Sequence, residues 1–214
     1  MYQPPHFIET DRSTLHALVR AHPLGLLIST TEAGPVADPI PFLLDPEIGE
    51  NGRLRCHVAR ANPHWKLIAG QPEKPVLIVF QGADAYVTPS WYETKRETGK
   101  VVPTWNYAIV QVRGTARVMD DKAWLAQQIR DLTVSREAGL PEPWAVEDAP
   151  APFIDAQLKG IIGIEIDIAS IEGKWKVSQN RPISDRVGVA SGLEGPLGNA
   201  EMATLVRKFG GLDN

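Results

Sequence analysis

Arg55-Cys-His-Val-Ala-Arg-Ala-Asn-Pro-His-Trp-Lys66 is the stretch on which the reading of this chain turns. Leu54, Cys56 and Val58 alternate with Arg53, Arg55 and His57, which is the period of a half-buried strand. Asn62 then stands where an N-cap belongs and Pro63 at the first helical position, so a short helix is predicted from His64 to Ala69, stopping at Gly70. A helix start exposes backbone N–H groups and the positive end of a dipole. With Arg60 before it and Lys66 one turn in, the junction is a candidate anion seat, with phosphate the first anion to consider. A capped helix carrying two solvated cations is the alternative reading of the same residues.

Outward from this junction, the pattern is that of an α+β protein. Thr10-Asp11 can cap a helix through Leu15, Leu18 and Val19, and Pro23 ends it. Leu24 to Thr30 reads as a strand. Pro35 to Leu44 carries Pro39 and Pro41, so it reads either as an edge or bulged strand or as an irregular loop. An open strand edge can take a flat ligand or a second chain. Pro75 to Phe80 suits a fully buried strand, Asp84 to Thr88 a further short one, and Pro89 to Val102 a polar loop. Tyr107 to Val118 alternates clearly. Asp120 or Asp121 caps a helix with Leu125, Ile129 and Leu132 on one stripe. Pro141 to Pro152 reads as a linker, and Ile162, Ile164, Ile166 and Ile168 mark another strand. Two short helical patterns follow, Arg181 to Leu193 and Asn199 to Phe209. Antiparallel strands with hairpin turns and helices late in the chain predict a small barrel, one domain over 1–214 with a helical C-terminal extension from about 181.

Composition narrows the function classes. The 214 residues are 43% hydrophobic and 22% charged, ordinary for a globular protein. A net charge of −4 argues against a broadly basic nucleic-acid surface. The single Cys56 excludes an intrachain disulfide framework and suits a cytoplasmic protein, and its place on the apolar side of its strand predicts an inert thiol. No secretory signal and no apolar run of membrane-spanning length is visible. Dinucleotide, P-loop and nucleophile-elbow motifs are missing. His57 and His64 lie across the strand–helix junction without a third metal ligand, so no metal site is expected; His57 reads as a polar group on the ligand-facing or interface side of its strand.

Three aromatic, polar blocks remain: Tyr86-Val-Thr-Pro-Ser-Trp-Tyr92, Val102-Pro-Thr-Trp-Asn-Tyr107 and Lys174-Trp-Lys-Val-Ser-Gln-Asn-Arg181. Trp, Tyr, Asn and Arg together suit an interface anchor or a planar-ligand site, and equally a core corner with satisfied polar tips.

At these blocks the chain resembles the PaiB-type family of FMN-binding negative transcriptional regulators. The matching pieces are Met1-Tyr2 with Pro4 and Phe7, His57-Val-Ala-Arg-Ala-Asn-Pro63, Pro89-Ser-Trp-Tyr92, Val102-Pro-Thr-Trp-Asn-Tyr107 and Lys176-Val-Ser-Gln-Asn180. The resemblance implies an antiparallel FMN-binding split β-barrel with flanking helices, a homodimer with flavin sites at the subunit interface, and FMN as cofactor. It implies that Arg60, Asn62 and Lys66, with His57 and Ala59, hold the FMN phosphate end. The ring would lie along Pro39, Ile40 and Pro41, with Trp105, Asn106 and Tyr107 from the other subunit, and Ser178 and Gln179 nearby. The function implied is a flavin-linked homodimeric repressor, with DNA as a further partner. The alternative is an FMN-dependent oxidoreductase using NAD(P)H and a small acceptor.

Overall fold

The computed structural model describes residues 1–212 apart from Leu197. In chain order the elements are β1 (Ile8–Glu9), α1 (Arg12–Ala21), β2 (Leu24–Thr31), β3 (Gly34–Pro41), β4 (Leu43–Asp45), β5 (Arg53–Ala59), α2 (His64–Gly70) and β6 (Val76–Val87). They continue with α3 (Glu93–Thr98), β7 (Thr104–Met119), α4 (Lys122–Glu137), α5 (Ala151–Lys159), β8 (Ile161–Lys176), α6 (Ile183–Leu193) and α7 (Ala200–Phe209). The strands form one sheet in the order β3-β2-β6-β7-β8-β5-β4, with β1 paired to β8. The pairings β2–β3, β2–β6, β4–β5, β5–β8 and β1–β8 are all antiparallel. The class is therefore α+β, as expected.

Two compact units divide the chain, and β6, β7 and β8 run through both. One unit holds 16–80 and 111–171. Its core is built from strand residues at period 2: Leu27 and Ile40, Leu54, Cys56 and Val58, Ile78 and Phe80, Val112, and Ile162, Ile164 and Ile166, all buried. Burying each such aliphatic side chain contributes about 1.5–3 kcal/mol. Gly163 and Gly114 mark places where only a hydrogen fits. A Cβ on Gly163 would come within 2.2 Å of the Trp124 ring, and one on Gly114 within 2.1 Å of the Asp167 carbonyl. The other unit holds 1–15, 81–110 and 172–214. Tyr92, Ala108, Val110, Trp175, Val177, Val189, Leu193, Met202 and Val206 fill its core.

The helix ends follow their caps. Asp11 accepts from the Thr14 N–H at 2.9 Å, Asp121 from Trp124 N–H at 2.8 Å and Asn199 from Met202 N–H at 3.1 Å. The ambiguous proline segment is an edge strand, β3, paired with β2 along its whole length. Pro35, Pro39 and Pro41 fall at alternate positions, where the missing N–H faces the free edge and breaks no rung of the ladder.

Four expectations need correction. Val76–Phe80 and Asp84–Thr88 are one strand, β6, because Gln81-Gly-Ala83 continues the extended chain instead of turning. The polar segment after Pro89 contains helix α3, which lacks an apolar face and is closed by Gly99 in the left-handed region, φ 66°. The linker-like segment leads into α5, with Pro152 inside the first turn, where its missing N–H costs nothing. Helix α2 begins at His64 as predicted, but Pro63 holds the cap position expected for Asn62 and is not the first helical residue. Asn62 Oδ1 still accepts the His64 N–H at 2.8 Å, as a turn preceding the helix.

Candidate functional site

The thirteen residues expected at the site fall into two groups, one in each unit: Pro39, Ile40, Pro41, His57, Ala59, Arg60, Asn62 and Lys66, and then Trp105, Asn106, Tyr107, Ser178 and Gln179.

In the first group the strand–helix junction is clamped by a hydrogen-bonded chain that sequence reasoning missed. His64, at the head of α2, is 1% exposed. Its Nδ1 lies 2.7 Å from Asp38 Oδ2 on β3, and its Nε2 lies 2.8 Å from Ser29 Oγ on β2. The carboxylate only accepts, so Nδ1 donates; with a neutral ring, Nε2 accepts from the Ser29 hydroxyl. Asn62 Nδ2 donates to the same Asp38 oxygen at 3.4 Å. The order Asp–His–Ser is that of a hydrolytic triad. Here, however, Ser29 is 8% exposed within a strand, and the chain ties β2, the edge strand and α2 together.

Arg60 does not present an open fork. Its Nη1 and Nη2 donate to both oxygens of Asp120 at 2.9 and 2.5 Å, and Nε and Nη2 also donate to the carbonyls of Lys159 and Ile161. The Arg60–Asp120 hydrogen bonds raise the guanidinium's pKa and lower the carboxylate's. Lys66 is exposed, its ammonium 5.6 Å from the Trp65 ring centre, and α2 is a seven-residue helix. His57 Nδ1 meets Gln128 Oε1 at 2.7 Å, and Gln128 is fully buried on α4, one step off the apolar stripe read from sequence. Ala59 ends β5 at the surface. Cys56 is fully buried, and burial pushes its thiol pKa up, so it is an inert packing residue.

Around this junction every other arginine of β5 and β7 whose partners are described meets acids. Arg55 donates to Asp45 at 2.5 and 2.9 Å and to Asp131 at 2.9 Å. Arg53 and Arg117 both bridge to Glu165 and Asp167, at 2.6 to 3.2 Å. Burial pushes Asp167 up, but hydrogen bonds from Arg117 and Arg53 outweigh it and leave its pKa lowered.

One face of β3–β2–β6 is apolar and open. The register pairs Leu24 with Pro41, Leu26 with Pro39 and Ile28 with Ala37; Leu26 and Ile28 in turn face Val79 and Leu77 of β6. Leu24 is 63% exposed and Leu26 37%, while Ile40 points to the buried side at 4%.

The second group has a different character. Asn106 and Ser178, 1% and 4% exposed, hydrogen-bond each other, Asn106 Nδ2 donating to Ser178 Oγ at 2.9 Å. Ser178 has φ 69°, the only non-glycine residue among those described in the left-handed region. Gln179 braces this turn: its Oε1 accepts from the Val177 N–H at 2.8 Å and its Nε2 donates to the Trp175 carbonyl. Trp105 is 55% exposed, edge-on to Tyr86 at 6.0 Å. Tyr107 carries Lys174 and Lys176 over its ring at 5.3 and 5.9 Å.

Comparison with known proteins shows the family. Residues 1–170 match the family model described as "Putative FMN-binding domain". An uncharacterized protein of Emericella nidulans, AN0679, is 38% identical over 98% of both chains. The protease synthase and sporulation protein PAI 2 of Bacillus subtilis is 28% identical over 91% of this chain and 89% of its own. Among solved structures, the flavocytochrome Anf3 of Azotobacter vinelandii superposes with TM-score 0.56 at 17% identity, over 79% of this chain and 69% of its own. Likeness at that identity speaks for the fold, the split barrel expected from sequence. Among the described residues, no helix is long and apolar enough to cross a membrane.

Proposed function

The chain belongs to the FMN-binding domain family, and from that premise we propose that it binds FMN as a homodimer whose flavin state governs a repressor function. The observation that carries this reading is the open apolar face of Leu24, Leu26, Ile28, Pro39 and Pro41, beside the free edge of β3. An isoalloxazine is flat and largely apolar, and a face of this kind suits such a ring or the matching face of a second chain. The prolines leave mainly carbonyl acceptors on that edge, which suits a ligand carrying N–H donors. Lys66 and Asn62 supply polar groups at the neighbouring junction, and Lys66 is in no ion pair among the described residues. The residues present therefore fit the cofactor. When bound, FMN supplies the electron chemistry, and the chain's own residues bind it, orient it and exclude water.

The regulatory half of the reading is supported by the family resemblance and by the likeness to PAI 2. With a net charge of −4, DNA contact needs a local cationic surface, so promoter binding is expected to weaken steeply as salt rises.

Titration of the purified chain with FMN, followed by flavin absorbance and by native mass, tests the proposal. One flavin per chain and a mass of two chains are expected. Leu26→Asp places a charge on the apolar face and is expected to lose both flavin and dimer while remaining folded. Full FMN affinity in a monomeric Leu26→Asp protein would remove the open face from the site. Steady turnover of NADH or NADPH without promoter binding would replace the repressor with an oxidoreductase.

A further inference from the structure

A second cationic site lies wholly within the unit of 1–15, 81–110 and 172–214. A cavity of about 130 Å³ is lined by Tyr92, Thr104, Asn106, Lys176, Ser178 and Arg181, with Phe7 and Asn180. Helix α6, eleven residues long, begins two residues after Arg181, so its free N–H groups and positive dipole end are close to this segment. Lys174 is 7% exposed beside it. Among the described residues none of Lys174, Lys176 and Arg181 is in an ion pair. Lys174 and Lys176 stack on Tyr107, and the Arg181 guanidinium sits 4.7 Å from the Tyr92 ring centre. Lys176 also donates to Thr104 Oγ1 and the Trp105 carbonyl, which fixes its ammonium at the cavity.

A carboxylate that bears on Tyr92 is already committed. Asp185 is fully buried and accepts from both the N–H and the hydroxyl of Thr94 at 2.9 Å. Tyr92 adds an independent sign. It is 1% exposed, and its hydroxyl makes no hydrogen bond of normal geometry. A buried polar group without a partner is costly, and this covered hydroxyl belongs to a residue of the cavity lining whose ring lies beside the Arg181 cation, so an acceptor drawn in by that cation would relieve it. Burial lowers the Lys176 pKa, and Lys174 and Arg181 lower it further, as in a cluster of cations facing one another without compensation.

We propose that this cavity binds a terminal oxyanion, a phosphate monoester or carboxylate, through Arg181, Lys176 and the Tyr92 hydroxyl. Its volume admits such an end group and falls well below the roughly 300 Å³ at which whole-ligand pockets begin. Two sources supply that chemistry: the phosphate of FMN itself, or a separate small anionic metabolite.

The test is calorimetric titration of the full chain with inorganic phosphate, on wild type, Arg181→Gln and Tyr92→Phe. Arg181 makes no ion pair to lose, so Arg181→Gln is expected to fold and to bind phosphate roughly tenfold or more weakly. Tyr92→Phe removes the orphaned hydroxyl. It is expected to raise the melting temperature of the free protein while weakening phosphate several-fold, a combination that a purely structural tyrosine does not produce. Lys159→Met, which removes an exposed cation on α5, is expected to leave phosphate binding unchanged. No heat with wild type, or equal affinity across the variants, overturns the site. The two sources separate in a second arm. If phosphate competes with FMN but not with riboflavin, and Arg181→Gln weakens only FMN, the flavin's own phosphate occupies the cavity. If phosphate binds undiminished to FMN-saturated protein, the occupant is a separate anion. FMN binding at full strength in a chain that shows no phosphate heat would leave the flavoprotein reading standing and remove this one.

Discussion

Two sets of cations in this chain differ in what faces them. Around the β5–α2 junction, Arg53, Arg55, Arg60 and Arg117 are each held by one or two carboxylates. At the β8–α6 turn, Lys174, Lys176 and Arg181 are held by aromatic rings, a hydroxyl and a carbonyl. The first arrangement is finished within the chain and serves stability. The second leaves positive charge uncompensated in a half-buried site, which favours an external anion. Sequence alone draws the eye to the first set. Arg60 and Lys66 flank a helix start and look free, whereas Lys176 and Arg181 lie in a strand end and a turn.

The comparison breaks most visibly at Arg55, which is 14% exposed between Asp45 and Asp131. Arg55→Met strands two acids, and a loss of about 3 kcal/mol in urea unfolding is expected. A near-neutral result would mean that the paired arginines are not a stability network. Next is Lys176, observed by NMR titration. Its lowered pKa means the folded chain releases this proton before the unfolded chain does, so stability rises with pH through the window between the lowered value and the ordinary 10.5. Saturating phosphate is expected to raise that pKa and flatten the rise; an unmoved pKa would argue that no anion sits against the ammonium. Acid titration probes the other set. Asp167 and Asp120 have lowered folded values, so their contribution is present above the ordinary carboxylate range and is lost as pH falls through those values. The smallest effect is expected at Arg60. Asp120 is exposed, so Arg60→Gln is expected to leave urea unfolding unchanged within error, and a clear loss would promote this pair into the network.

Much of the fold was legible because period-2 alternation survives wherever one sheet face is buried, as in Leu54–Val58, Val110–Val118 and Ile162–Ile168. Helices α3 and α5 were hidden for opposite reasons. α3 has no apolar stripe and depends on Asp185, ninety-one positions away, to accept from Thr94. α5 starts among prolines that mimic a linker. In the segments expected to form the site, residue types were legible but their pairing was not. Arg60 finds Asp120 across sixty positions, and His64 finds Asp38 and Ser29 on two other strands. The one local signal was the run Lys174 to Arg181, five cations or amides without an acid.

The spacing of Pro35, Pro39 and Pro41 has a consequence for how copies of this chain meet. A sheet that ends in such a strand can be approached by side chains or by a small molecule, yet it cannot seed an endless row of added strands, because alternate donors are missing. Valine at 39 and 41 would restore those donors beside an already oily surface, and the expected product is fibrous growth in place of a closed assembly.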